Sequence, residues 1–194
     1  MKRNLFLLLI LLIICTSCSN DYIPKPKAYL RLDYPQAQYT PSNLPLPLTF
    51  ETNILAQRIN VKEINATAKS YGITIDYPAL KGTIFLTYKA VNNNKEILNE
   101  YLRDAQKFTQ EHTRKADVII DQLYDNPNKK VYGMFYEVGG NAASQSQFYV
   151  TDSVRHFLTG SLYFRAKPNY DSIYPAAKYL ENDIRRIMES IEWK

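Results

Sequence analysis

Both cysteines of this chain, Cys15 and Cys18, lie near its N-terminus. Everything after them must hold its shape without a disulfide, so a hydrophobic core has to do that work. The surroundings of Cys18 explain its presence. Lys2 and Arg3 form a basic start, Leu5 to Ile14 is an unbroken apolar run, and Thr16-Ser17 puts small residues before Cys18. That order is a secretory signal, and the run is well short of the ~20 residues of a membrane-spanning helix. No A-x-A-like site is present. Small residues before a cysteine instead fit lipoprotein processing, in which the thiol takes a diacylglycerol and the cut chain begins at Cys18. Cys15 stands where such signals usually carry leucine, and is itself a small hydrophobe. Residues 1–17 are therefore expected to be a signal peptide and Cys18 the lipidation site. Acyl chains contribute about 0.8 kcal/mol per buried methylene, so the chain should be held at a membrane. Ser19, rather than Asp, follows the cysteine, and Asn20-Asp21-Tyr22-Ile23 is not an acidic run. Both point to an outer-membrane lipoprotein facing the periplasm.

Cleavage before Cys18 leaves enough chain for one domain with a sizeable core. The formal net charge of +5 includes Lys2 and Arg3, so the processed chain is less basic still. That balance, with the compartment, argues against a nucleic-acid partner. The 16 tyrosines outnumber the 8 phenylalanines, which suits half-exposed sheet surfaces or a partner surface.

Three segments follow: a signal over 1–17, a lipidated tether and extended arm over 18–49, and one globular domain over 50–194. Pro24, Pro26, Pro35, Pro41, Pro45 and Pro47 keep the arm out of helix and interior strand. Within it Tyr29, Arg31 and Asp33 alternate with Leu30, Leu32 and Tyr34, as in a short strand that docks at an edge of the domain. Alternation predicts strands over 71–77 and 82–89, joined by a turn at Pro78–Lys81. A helix is expected over 94–115, with Asn93 and Glu96 as a capping box. Strands are expected over 117–124, 131–138, 146–151 and 157–167, with 168–171 as a turn. A last helix should carry Pro175 in its first turn. Its apolar stripe is Ala176 or Ala177, then Leu180, Ile184, Ile187, Met188 and Ile191, with Glu181, Asp183, Arg185, Arg186 and Glu189 on or near the opposite, solvent-facing side. This order implies an α+β fold, an antiparallel sheet flanked by helices.

Candidate chemistry is sparse. His112 reads as a sheet-facing histidine and His156 as an exposed turn residue. Neither belongs to a zinc motif, so no metal or cofactor is expected. Ser144, Asp152 and His156 make a triad only on paper, without a G-x-S-x-G elbow. Asp117, Asp121 and Asp125 recur every four residues. On a helix they would make an acidic stripe, and on a strand a solvated face. Lys129-Lys130 and Arg185-Arg186 read as basic pairs on solvated faces. Gly139 to Ser144 is a small-residue loop, open either to close approach by another chain or to a wide hairpin with positive φ. No enzyme is expected.

An ensemble of short motifs carries a family resemblance. It comprises Lys25-Pro26-Lys27 with Tyr29, Arg31 and Asp33, then Lys115-Ala116-Asp117, Val131-Tyr132-Gly133 and Gly140-Asn141-Ala142-Ala143-Ser144. Thr151-Asp152-Ser153, Phe157-Leu158, Gly160 to Phe164, Asn169, Asp171-Ser172 and Trp193-Lys194 complete it. On these the chain resembles the gliding motility lipoprotein GldD family of Bacteroidota. Residues 51–70 lie outside the matching motifs. The resemblance implies a part in the gliding machinery and its type IX secretion system, with Cys18 as the lipid anchor. The element order is also similar to the PsbP/Mog1-type α/β/α sandwich, an analogy of fold alone.

Two functional readings follow. The first is a non-catalytic assembly or stabilising factor. Its partners would be other envelope lipoproteins and motility or secretion components, bound through Tyr29, Arg31, Asp33 and the loop Gly140, Asn141, Ala142, Ala143 and Ser144. The second is a periplasmic module for glycan or peptidoglycan. A concave aromatic cleft is expected of the second and not of the first.

Overall fold

A computed structural model describes residues 32–65, 69–112, 116–165 and 170–194, apart from the side chain of His112. The signal peptide, Cys18, Tyr29, Arg31, most of the strand expected in the arm, and Ala166 to Asn169 lie outside the described residues.

Seven antiparallel strands form the main sheet. Three precede the first long helix: β4 (Arg58–Asn65), β5 (Ser70–Tyr77) and β6 (Gly82–Ala90). Four follow it: β7 (Val118–Asn126), β8 (Val131–Gly139), β9 (Ser144–Thr151) and β10 (His156–Phe164). The spatial order is β4-β5-β6-β10-β9-β8-β7. Two meanders therefore meet at the centre, where Leu158 stands opposite Tyr88 and Leu162 opposite Ile84. Helix α1 (Lys95–His112) carries the chain from the central β6 out to the far edge, and the second meander brings it back.

Because strand side chains alternate, each face of the sheet has its own set. One face presents Ile73, Ile75, Ile84, Leu86, Phe135, Phe148, Val150, Leu158 and Leu162, all buried. Helix α2 (Tyr170–Ser190) lies over it and inserts Ala177, Leu180, Ile184, Ile187 and Met188. The expected apolar stripe is thus the one used. On the other face α1 covers a smaller cluster of Val91, Tyr149 and Phe157, joined by Leu98, Tyr101, Leu102, Ala105, Met134 and Tyr136. The result is an α+β fold in three layers, helix on either side of a sheet.

The arm is knitted into the first of these faces. Strands β1 (Tyr39–Pro41) and β3 (Glu51–Asn53) pair with each other, and β2 (Leu48–Thr49) pairs with the C-terminal β11 (Glu192–Trp193). Leu46, Leu48 and Phe50 reach the main core. Asp33 is exposed and stands in no strand.

Several local expectations need correction. The N-cap of α1 is Asn94, whose Oδ1 accepts the backbone N–H groups of Glu96 at 2.9 Å and Ile97 at 3.1 Å. Asn93 cannot serve, because its φ of 61° is left-handed, and a cap needs extended backbone. Helix α2 begins at Tyr170, inside the expected turn, so Pro175 sits beyond its first turn. That earlier start is held from outside: Tyr170 donates its backbone N–H to Asn141 Oδ1 at 2.9 Å. Strand β4 is not foreshadowed by the pattern of its residues. Its alternation is short, with only Ile59 and Val61 turned towards the core between exposed Arg58, Asn60 and Lys62.

Asp183 is the largest departure. It is 1 % exposed rather than solvated. Its Oδ1 accepts from the Tyr39 hydroxyl at 2.8 Å, and both its oxygens accept from Asn53 Nδ2 at 3.0 Å. The same Asn53 amide donates to Tyr179 Oη at 3.2 Å, and that hydroxyl donates to the carbonyl of Pro35 at 3.0 Å. A buried carboxylate satisfied by neutral donors thus clamps the arm to α2. Burial raises the Asp183 pKa, and its hydrogen bonds oppose that rise in part. Arg185 is also drawn in, over the Phe135 ring and 2.8 Å from Glu137, while Arg186 pairs with Glu51 at 2.7 Å.

Candidate functional site

The strongest candidate lies on the face that α1 half-covers. An amphipathic helix normally buries its apolar stripe, yet among the described side chains of α1 only Thr109 is fully buried. Between the helix and β6, β9 and β10 runs a cleft of about 440 Å³. Ligand pockets commonly measure ~300–1,000 Å³. Its walls are aromatic: Phe85, Tyr101, Phe108, Tyr136, Tyr149, Phe157 and Tyr163. Tyr149 and Phe157 stack at 6.1 Å, Tyr101 meets Phe157 at 5.5 Å, and Phe85 meets Tyr163 edge-on at 5.8 Å. Phe85 and Phe108 remain 45 % and 41 % exposed.

Polar groups are spaced along this lining. Thr87, Thr159 and Ser161 line the cleft from β6 and β10, and Lys89 and Asp104 add opposite charges from strand and helix. The Lys89 ammonium sits 4.4 Å over the Tyr101 ring, a cation–π contact that holds the ring in place. Burial raises the pKa of Tyr101 and Tyr163. Burial, with Tyr149 and Asp121 nearby, pushes Tyr136 up to about 12. These three phenols are neutral near pH 7 and can donate hydrogen bonds.

Gln147 is the unusual residue. It is 3 % exposed, its Oε1 lies 3.2 Å from Thr109 Oγ1, and its Nε2 has no partner. Thr109 also has the Ala105 carbonyl within 3.1 Å, and its hydroxyl has one hydrogen to give. Turning the amide over would let Nε2 donate to Thr109, but would leave Oε1 unpartnered instead. In either orientation one end of a buried amide stays unsatisfied beside the cleft, where such groups are uncommon. It belongs to β9, whose polar opening Ser144-Gln145-Ser146-Gln147 is wholly buried.

The residues singled out from sequence do not converge on this cleft. Asn141 caps α2, as described above. Gly140 has a φ of 94°, and a Cβ there would stand 2.7 Å from Asp117, so the hairpin requires glycine. Ala142 and Ser144 are buried, and only Asn141 and Ala143 face solvent. The Ala142 carbonyl accepts from Gln145 Nε2 at 2.7 Å, and the Ser144 hydroxyl donates to the Ser146 carbonyl at 3.2 Å. The loop thus has ample structural reasons for its composition.

The paper triad is not assembled. Ser144 opens β9 and Asp152 follows its far end, roughly 25 Å along a strand. Asp152 Oδ1 instead accepts three backbone N–H groups, from Val154, Arg155 and His156. His156 is 8 % exposed, not a surface turn residue. Its Nδ1 lies 2.9 Å from the Tyr88 hydroxyl, and its ring stacks on Trp193 at 5.0 Å. Burial lowers its pKa, with Asp152 opposing. Asp117 precedes β7, Asp121 and Asp125 share one of its faces and all three are exposed, and among the described residues no cluster of three metal-ligating side chains occurs.

Fold and site together define a class: an α+β domain with a tyrosine-lined cleft on the looser face of its sheet. Among its described residues no helix is long and apolar enough to cross a membrane. Residues 19–193 match the family model described as "Gliding motility lipoprotein GldD", and the chain belongs to that family. It is thereby a gliding motility lipoprotein, associated with the cell envelope. No curated protein and no solved structure matches it.

Proposed function

We propose that this lipoprotein is a non-catalytic binding component of the gliding apparatus, anchored in the outer membrane through Cys18 and facing the periplasm. Its cleft takes a segment of glycan, such as peptidoglycan. The aromatic cleft beneath α1 carries this reading, since it is the feature by which a glycan module differs from a pure scaffold. Aromatic rings offer flat apolar platforms to the C–H faces of pyranose rings. Lys89, Asp104 and the phenols supply hydrogen bonds to hydroxyls, and the unsatisfied amide of Gln147 suits an acetamido group. The separation of Ser144, Asp152 and His156 supports a non-catalytic role.

Calorimetric titration with N-acetylglucosamine oligomers and soluble muropeptides tests the reading. Binding should be lost in the Tyr101→Ala, Tyr163→Ala double variant while it still unfolds cooperatively, with its melting temperature lowered only modestly. If no glycan binds the parent chain, the reading fails.

A second reading, assembly or stabilisation of other envelope lipoproteins of the motility and type IX secretion machinery, draws support from family membership and the docked arm. Removing residues 24–35 should release such partners from crosslinked envelopes. Cys18→Ser should yield an unprocessed, unlipidated form. The three layers also agree with a PsbP/Mog1-type sandwich, which superposition of an experimental structure would test.

A further inference from the structure

We propose that the outer edge of β7 is a strand-addition site for an extended, basic segment of another protein. Every strand at the end of a sheet leaves alternate N–H and C=O groups pointing outwards, and folded proteins guard such edges with charges, bulges or prolines. Both edges of this sheet carry charges, mixed in sign on β4 and acidic alone on β7, and they differ in regularity. Strand β4 carries Arg58, Lys62 and Glu63, and its pairing slips between Glu63 and Asn65. Strand β7 is unbroken: all nine of its residues, Val118 to Asn126, pair in register with β8. It contains no lysine, arginine or proline. At ~3.3 Å per residue it offers roughly 30 Å of straight edge. Among the described residues no strand lies beyond it.

The side chains on this edge set the chemistry of the guest. Leu123 is 78 % exposed, Val118 54 % and Ile120 48 %. Asp121 and Asp125 are exposed and share a face with Leu123 between them. Lys129 and Lys130 lie beyond the end of the strand, and Lys129 is paired with Glu192 at 3.1 Å. A second copy of β7 is a poor guest. Two-fold antiparallel pairing would bring the aspartates of both copies onto one face, and like charges across strands are destabilising. The complementary guest has basic residues four apart with an apolar residue midway, and aliphatic residues at the alternate positions. Main-chain hydrogen bonds would supply affinity, and the aspartates register and choice of partner.

The test uses the detergent-solubilised, full-length protein and two synthetic peptides of that alternating pattern, one with lysines and one with glutamates at the charged positions. The lysine peptide should bind about tenfold more tightly and protect amides of β7, not β4, from hydrogen exchange. The Asp121→Lys, Asp125→Lys variant, altered only at exposed positions, should reverse the preference while keeping its melting temperature. Equal binding of both peptides, binding of neither, protection at β4, or an unchanged preference in the variant would each overturn the proposal. So would a dimer in light scattering whose contact protects β7.

Discussion

The two faces of the central sheet are built from the same alternating strands, yet α2 seals one and α1 only half-covers the other. On the sealed face Leu180, Ile184 and Ile187 lock between aliphatic strand residues, and the buried Asp183 has its acceptors occupied. On the open face the covering helix leaves its aromatics partly wet, and a buried amide lacks a partner. The sealed face spends its side chains on stability. The open face leaves cohesion unrealised, as a surface reserving contacts for a ligand would.

The largest test of this contrast is a pair of truncations. Leu180→Ala should cost about 2–5 kcal/mol in urea unfolding, since it opens a cavity in a close-packed face. Tyr101→Ala on the half-covered face should cost clearly less. Equal losses would mean that both faces are structural and would undo the comparison.

Asp183 comes next. Asp183→Ala strands the donors of Tyr39 and Asn53 and should cost about 1–3 kcal/mol. Its titration has a definite sign. The folded pKa is raised above the ordinary 3.8, so the folded state binds the proton more tightly than the unfolded. This stabilisation is complete below 3.8 and is lost as pH rises through the raised value. Asp183→Asn should remove that dependence from a plot of melting temperature against pH. His156 acts oppositely. Its folded pKa is lowered, so its contribution is present above the ordinary 6.5 and lost as pH falls through the lowered value. His156→Gln should flatten that limb.

Smaller effects separate structure from binding. Asn141→Ala removes the acceptor at the start of α2 and should cost about 1 kcal/mol, without altering glycan titrations. Gln147→Leu should be neutral or stabilising by up to ~1 kcal/mol, because it removes an unsatisfied buried group, while weakening glycan binding. A clear loss of stability in Gln147→Leu would show the amide to be part of the scaffold.

How much of this was legible beforehand follows from the physics of each element. The α2 stripe and the strands around Ile84 and Val131 were readable because one periodicity dominates each. Strand β4 was not, since two inward aliphatics among charges make too short a pattern. Asp183 looked solvated because its partners, Tyr39 and Asn53, lie more than a hundred residues away. The cleft was hidden for a similar reason, being drawn from α1, β6, β8, β9 and β10, no one of which is unusual alone. The available signal was Ser144-Gln145-Ser146-Gln147, a polar run leading straight into Phe148-Tyr149-Val150. Read as a central strand, it requires buried polar groups and asks what they face.

The clamp between Pro35, Tyr179 and Asp183 has a mechanical consequence. With a lipid on Cys18, the leash from membrane to clamp can extend at most about 60 Å. It would be fastened to the sealed side, so a pull on it would load α2 and leave the open cleft unobstructed. Anchored in that way, the cleft would be confined to a thin shell above the membrane. A ligand fixed within that shell would be met at an effective concentration of roughly millimolar order, so even a weak grip would stay engaged.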